Sequence, residues 1–227
     1  MKIYQWKLIL LIFPTHSLRN CWELNLTHVV GLCTKASQKL HALSRVSHYM
    51  QFEQRRIIMQ SFILSQFGYC PLVWMLHSRE LNNRINSIHC RALRIVYQDH
   101  KSSFEALLKK DKAFTIHERN IQTLGIELYK VAYGIAPEIM KLVFPTKPQG
   151  RYPWDNIFKT FNVRTVEWGT ETLYHLGPKI WSIIPLFLKK LPFLQFRKQI
   201  RLWKPDKCPC RMCKFYLQHV GFINVCT

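Results

Sequence analysis

Apolar residues recur at helical spacing in two successive stretches of the first third of the chain. Each stretch places an apolar residue at every third or fourth position, which gives a helix one apolar face. The first covers residues 32–46 and the second residues 58–67, and the pattern then breaks at Gly68, Pro71 and the aromatic cluster around Trp74. The spacing predicts amphipathic helices in both stretches.

A third stretch, residues 81–95, separates its apolar and basic positions more sharply. Its apolar residues form one stripe along a helix, whereas three arginines fall off that stripe: Arg84, Arg91 and Arg94. Arginines on the solvent side of a helix can contact a phosphate backbone without reading bases. We therefore predict a helix that offers these three arginines to a nucleic acid.

Capping residues mark further helices downstream. Ser103 suits the N-cap of a short helix over residues 104–110, and Thr115 with Glu118 three residues later has the spacing of a capping box. The long helix that starts there should run to about residue 133, where Gly134 supplies a C-terminal stop. Pro137 favours the first turn of another short helix.

The C-terminal third has a different pattern. Prolines and a glycine interrupt residues 144–162, which predicts a linker, and β-branched and aromatic residues around Trp168 then favour a small β-hairpin over residues 163–174. Short helices are predicted at residues 178–184 and 193–203. The expected fold is mainly α, with a degenerate N-terminal segment (1–31), a helical domain (32–143), the linker (144–162), and a C-terminal hairpin and helix region with a cysteine-containing basic tail (163–227).

The charge of the chain points to its partners. Lys and Arg number 33 against 13 Asp and Glu, which gives a formal net charge of +20 and a pI near 9.9. Hydrophobic residues make up 48%, so this charge belongs to a chain that can build a core. Basic surfaces release counterions when they bind phosphate backbones. We predict a nucleic-acid partner, with a membrane surface or an acidic protein as the alternatives.

The N-terminus resembles a secretory signal only superficially. Lys7 interrupts it, the clean apolar run of residues 8–13 is far shorter than the roughly 20 residues of a membrane span, and Pro14 follows without a small-residue cleavage site. The 8 cysteines are unevenly spaced and too few for a disulfide scaffold. We expect an intracellular protein, in the nucleus or cytoplasm, with no membrane partner.

Five long strings carry a family resemblance. They are LCTKASQKLHALSRVSHYM (residues 32–50), the run from RRIIMQSFILSQFGYC to EALLKKD (residues 55–111), IHERNIQTLGIELYKVAYGIAPEIM (residues 116–140), VRTVEWGTETLYHLGPKIWSIIP (residues 163–185) and CPCRMCKFYLQHVGFI (residues 208–223). In this order they resemble the region downstream of the catalytic palm in animal non-LTR (LINE-type) retrotransposon reverse transcriptases. The resemblance implies that residues 32–143 form a helical thumb, which in this family grips a template-primer duplex through its backbone.

The same resemblance implies that polymerase chemistry is missing. In the family a palm precedes this region, and its paired aspartates hold two divalent metals about 4 Å apart. The aspartates of this chain are never adjacent: they are Asp99, Asp111, Asp155 and Asp206. Residues 1–31 depart from the family pattern, so we expect a 5'-truncated copy, or a gene model that begins inside one. The prediction is a non-enzymatic segment with no catalytic residues that binds RNA, DNA or an RNA–DNA hybrid, its oligomeric state left open.

The densest basic tract lies near the C-terminus. Only Asp206 opposes its basic residues, which are Lys189, Lys190, Arg197, Lys198, Arg201, Lys204, Lys207, Arg211 and Lys214. Aromatic residues interleave with them, as in grooves that follow phosphates and stack bases. In the alternative interpretation the aromatic rings lie in the core and the basic side chains are merely solvated.

A cysteine cluster follows within the same tract. Zinc usually takes four tetrahedral Cys or His ligands. The spacing here comes near a retroviral-type CCHC knuckle without matching it. The candidate ligands are Cys208, Cys210, Cys213 and His219, with Cys226 as an alternative. The other interpretation is that these are reduced thiols with no metal.

Two other functions remain compatible with the sequence. One is an orphan helical protein that makes only protein contacts or has no function. The other is a secreted cationic protein, which rests on the short apolar run near the N-terminus and the basic C-terminus. Salt-dependent binding to nucleic acid separates the main prediction from the first, and the mature N-terminal sequence separates it from the second.

Overall fold

The computed structural model describes residues 18–147, 157–160, 172–205 and 208–210, with side chains described from residue 27 onward. These residues are mainly helical, as the sequence predicts, and within them the only β-pairing is an isolated antiparallel bridge between Thr146 and Phe158. They form two compact units, an N-terminal unit, Asn25–Asn120, and a C-terminal unit that includes Ile121–Gln218. Most of the predicted linker and hairpin, residues 148–156 and 161–171, lies outside the described residues.

The N-terminal unit consists of the three predicted amphipathic stretches and their short connections. Its α-helices are α1 (Leu18–Val46), which belongs to this unit from Asn25 onward, α2 (Phe52–Ile58), α3 (Pro71–Trp74), α4 (Arg79–Tyr97) and α5 (Phe104–Asp111). A π-helical turn, Met59–Ile63, and a 3-10 turn, Leu64–Gly68, continue α2, where the sequence predicts one helix. One continuous core joins α1, α2, α4 and α5, with Leu40, Met59, Ile85 and Leu93 almost fully buried.

Buried polar side chains fix the register of the helices in the N-terminal unit. Arg55 is only 8% exposed, and its guanidinium donates from Nε to the carbonyl oxygen of Val96 at 3.1 Å and from Nη1 to that of Met50 at 3.2 Å. The carboxylate of Asp111 accepts from Arg56 Nε at 2.8 Å and from the Tyr97 hydroxyl at 2.9 Å. Because a buried polar group is costly without partners, these bonds tie α2 to α4 and α5.

The C-terminal unit is built around aromatic rings. Its helices follow α6 (Ile116–Ala132), which begins in the N-terminal unit, and are α7 (Ile139–Val143), α8 (Leu173–Ile183), α9 (Leu186–Lys189) and α10 (Phe193–Gln199). The Tyr129 ring of α6 stacks on Phe196 of α10 with centroids 4.2 Å apart, and its hydroxyl donates to the carbonyl oxygen of Leu191 at 2.6 Å. Phe158 meets Trp181 edge-on at 5.6 Å. The contact between Tyr129 and Phe196 anchors one face of α10, so its other face is directed outward.

The predicted helix caps are confirmed. The Ser103 hydroxyl accepts from the backbone N–H of Ala106, and Thr115 and Glu118 bond each other's backbone N–H groups at 3.2 and 2.8 Å. Gly134 ends α6 with φ +68°, a conformation that side chains disfavour. The short helix predicted at Pro137 begins two residues later, at Ile139.

Two boundary predictions in the C-terminal unit are wrong. Residues 172–174, the end of the predicted hairpin, instead begin α8, because the Thr172 hydroxyl caps it by accepting from the His175 N–H at 3.3 Å. Pro178, the predicted start of this helix, lies inside it. The helix predicted over residues 193–203 ends at Gln199, and the chain then turns.

Candidate nucleic-acid surfaces and metal-ligating group

The arginines of α4 lie on the side of the helix away from its core stripe. Arg84 and Arg91 are exposed, whereas Arg94 is half-buried and its Nη2 lies 3.5 Å from the carbonyl oxygen of Ser102. Seven residues are two helical turns, so Arg84 and Arg91 stand about 10 Å apart along one edge of the helix. Leu93, two residues after Arg91 and therefore on the opposite face of the helix, is fully buried. This edge can present two guanidinium groups to phosphates.

The basic tract of the C-terminal unit divides between surface and interior. Lys189 is only 6% exposed, and its Nζ lies 5.0 Å from the centre of the Trp181 ring, a cation–π contact that turns the ammonium toward the protein. The predicted phosphate-contacting residues that are exposed are Lys190, Arg197, Lys198, Arg201 and Lys204. Arg211 and Lys214 lie outside the described residues.

Helix α10 and the turn after it have one core face and one basic face. Phe196 and Ile200 are fully buried, and Phe193 is half-buried, with its ring 5.9 Å from that of Tyr129. Phe196, one of the aromatics interleaved with the basic tract, is therefore a core residue. The opposite face is exposed and carries Leu194, Arg197, Lys198 and Arg201. We call these four residues the α10 basic face.

No acidic residue opposes the α10 basic face in the surrounding sequence. Residues 172–205 contain no Asp or Glu, although they include Lys179 and the exposed lysines at 190 and 204. Like charges held at three- and four-residue spacing repel one another mildly in a free helix. A bound polyanion would relieve this repulsion and would gain from each positive charge.

The two thiols that begin the cysteine cluster are adjacent. Cys208 Sγ lies 3.2 Å from Cys210 Sγ, with Cys208 half-buried and Cys210 only 4% exposed. Two neighbouring thiolates supply half of a tetrahedral zinc site. The remaining predicted ligands, Cys213, His219 and Cys226, lie outside the described residues.

The described aspartates have structural partners. Asp111 is buried beneath Arg56 and Tyr97. Asp99 accepts hydrogen bonds from the hydroxyl and the backbone N–H of Ser102, which lower the pKa of its carboxyl. Both carboxylates therefore stabilise local structure, and Asp155 and Asp206 lie outside the described residues.

Comparison with known proteins does not contribute to the assignment of a function. Neither the protein-family models, nor the curated proteins, nor the solved structures include a match to this sequence. Within the described part of the chain, none of the helices combines the length and the apolar character that crossing a bilayer requires.

Proposed function

We propose that this chain is a non-catalytic nucleic-acid-binding segment related to the post-palm region of LINE-type reverse transcriptases. The ordered strings in the sequence support the relation to this family, and the net charge of +20 supports binding to nucleic acid. It assigns no polymerase activity to the chain. The expected partner is RNA, DNA or a hybrid duplex inside the cell, in the nucleus or the cytoplasm, bound through phosphates rather than base edges.

The observation that carries this proposal is the α10 basic face. Arg197, Lys198 and Arg201 project from one exposed side of a helix whose other side is anchored by Phe196 and Ile200. The anchor holds the three charges at fixed spacing, so binding orders less of the protein than it would in a loose basic tail. Arg84 and Arg91 on α4 provide a second exposed pair in the N-terminal unit.

Salt-dependent binding tests the proposal directly. Affinity of the full chain for a short RNA–DNA hybrid and for duplex DNA is measured by fluorescence anisotropy over a range of NaCl concentrations. We expect a steep linear fall of log affinity with log salt and little difference between sequences. The triple variant Arg197→Gln, Lys198→Gln, Arg201→Gln should weaken binding and make the slope shallower by about 2 to 3, since each lost phosphate contact contributes about 0.9.

A charge-matched control distinguishes this face from general charge. Lys141, Lys147 and Lys159 are exposed lysines of the same unit, and neutralising all three removes the same formal charge. An equal loss in both triple variants would contradict a role for the α10 basic face. Absence of binding to every nucleic acid tested would leave the protein-contact function, which the sequence also allows, as the better explanation.

A second proposed function is zinc binding by the cysteine cluster, favoured by the adjacent thiols of Cys208 and Cys210. Zinc accepts thiolate and imidazole ligands. The sequence offers Cys213, His219 and Cys226 as further ligands. A bound ion would hold the basic tail in one conformation, and with it Arg211 and Lys214.

Metal analysis tests the zinc site. The purified chain should contain one equivalent of zinc, and the Cys208→Ser and Cys210→Ser variants should lose it, whereas Cys33→Ser, which removes a buried thiol of α1, should retain it. The His219→Ala and Cys226→Ser variants identify the further ligand by which of them loses metal. Unchanged zinc content in both cluster variants would rule out the site.

A further inference from the structure

Cys208 and Cys210 are separated in sequence only by Pro209, and their sulfur atoms lie 3.2 Å apart. A disulfide requires an S–S distance of about 2.05 Å, so the two sulfurs would need to approach by roughly 1 Å. Pro209 has a fixed φ and restricts the conformation of the residue before it. The intervening proline therefore restricts the backbone between two cysteines whose thiols already lie close together.

The two thiols differ in their access to solvent. Cys208 is half-buried, whereas Cys210 is 4% exposed. A small oxidant such as hydrogen peroxide therefore reaches the Cys208 sulfur first, and Cys210 is shielded but close enough to react with the product. This division of roles is that of an attacking and a resolving cysteine.

We propose that Cys208 and Cys210 form a reversible intramolecular disulfide that acts as a redox switch on the proposed zinc site of the cysteine cluster. The Cys208 thiolate attacks peroxide, which gives a sulfenic acid and one molecule of water, or hydroxide before protonation. The Cys210 thiol then displaces the sulfenic oxygen as a second water, and the S–S bond forms. The two thiols lose two electrons and two hydrogens, and peroxide is reduced to two waters.

The switch acts on zinc because a disulfide cannot supply thiolate ligands. Oxidation removes two ligands at once, and bound zinc in turn engages the same sulfurs and slows their oxidation. This consequence rests on the proposed zinc site, whereas formation of the disulfide does not. Reduction by a dithiol restores both ligands.

The disulfide is tested first in the metal-free full chain. After treatment with chelator and a small excess of hydrogen peroxide, the intact mass should fall by two hydrogens, and peptide mapping should place the link between residues 208 and 210. Dithiothreitol should reverse the change. The Cys33→Ser and Cys213→Ser variants should form the same link, and Cys208→Ser should form none. A link from Cys210 to Cys213, or alkylation of both Cys208 and Cys210 after oxidation, would overturn the proposal.

A second arm tests the action on zinc. Zinc added before peroxide should slow formation of the link about tenfold or more, and oxidation of a zinc-loaded sample should release the metal to a chromogenic chelator. A disulfide that forms at the same rate with and without zinc overturns the switch on the metal. If the chain binds no zinc, the zinc proposal fails alone, because the mass and mapping results still decide the disulfide.

Discussion

His89 is a buried imidazole of α4, and its protonation would oppose folding. The side chain is fully buried, and neither ring nitrogen has a hydrogen-bond partner among the described residues. Burial, with a smaller contribution from the positive charge of Arg119, lowers the pKa of His89 from 6.5 to about 3. The folded protein therefore keeps this imidazole neutral, whereas the unfolded chain protonates it below about pH 6.5.

This difference predicts acid sensitivity of the folded state. Between about pH 6.5 and pH 3, His89 carries a proton in the unfolded chain but not in the folded protein. The contribution of His89 to the free energy of unfolding therefore falls by about 1.4 kcal/mol for each pH unit by which the pH decreases. The His89→Leu variant should show a correspondingly shallower loss of stability over this window, measured by urea unfolding at several pH values. His100→Gln, at an exposed position, is the control, and equal pH profiles for the protein and His89→Leu would contradict the assignment.

At the scale of single residues, the sequence predicted local hydrogen bonds more reliably than it predicted which side chains are buried. The Thr115–Glu118 capping box is confirmed because both partners lie within one turn and their spacing defines the bonds. Lys189 reads as one more basic residue of the tract, but Tyr133 donates to its carbonyl oxygen and Trp181 lies beneath its ammonium. Contacts of this kind join residues distant in sequence, so no local pattern predicts them.

Substitution of one glycine in α1 and one in α8 by alanine separates the effect of helix propensity on stability from the effect of packing. Gly31 lies inside α1, and a β-carbon added there would meet nothing within 4 Å. A β-carbon at Gly177 of α8 would lie 2.8 Å from two ring carbons of Phe144, which is 1% exposed and cannot easily move. We expect Gly31→Ala to stabilise the protein by roughly 0.5 to 1 kcal/mol through helix propensity. Gly177→Ala should instead destabilise it by roughly 1 to 3 kcal/mol through overpacking.

Thermal and urea unfolding of these two variants check the prediction. The variants are matched because each adds one methyl group to a glycine inside a helix, and only the surroundings differ. A Gly177→Ala protein as stable as its parent would mean that Phe144 can shift, and that close approach of α8 to this ring is not required. Destabilisation by Gly31→Ala would mean that the outer side of α1 is occupied in the folded protein.

At the scale of elements, the long helices were predictable and the short ones only in part. The stripe of α4 and the caps of α5 and α6 follow from residues within each helix. The start of α8 was missed because its first turn, Leu173-Tyr174, has the composition of a strand, and because Pro178 ordinarily begins a helix. Burial of Trp181 and Ile180 in the core of the C-terminal unit offsets the hydrogen bond that Pro178 cannot donate.

Over the whole molecule, positive charge exceeds what internal ion pairs can neutralise. With 33 Lys and Arg against 13 Asp and Glu, the basic side chains outnumber the acidic ones by 20, so one-to-one pairing leaves a large positive excess. The close ion pairs Arg56–Asp111 and Lys130–Glu127 use some of the acids for structure. The unneutralised charge repels itself in the compact state, so the property that attracts a polyanion also destabilises the free protein.

This self-repulsion predicts that NaCl stabilises the free protein while it weakens nucleic-acid binding. Raising NaCl from a low concentration to about 0.5 M shortens the screening length to a few ångströms and should raise the midpoint of thermal unfolding by roughly 2 to 5 °C. The Arg197→Gln, Lys198→Gln, Arg201→Gln variant should gain less from salt, because its surface carries less like charge. General salting-out would act on both proteins equally, so an equal gain, or a midpoint that falls as NaCl rises, would contradict charge repulsion on the α10 basic face.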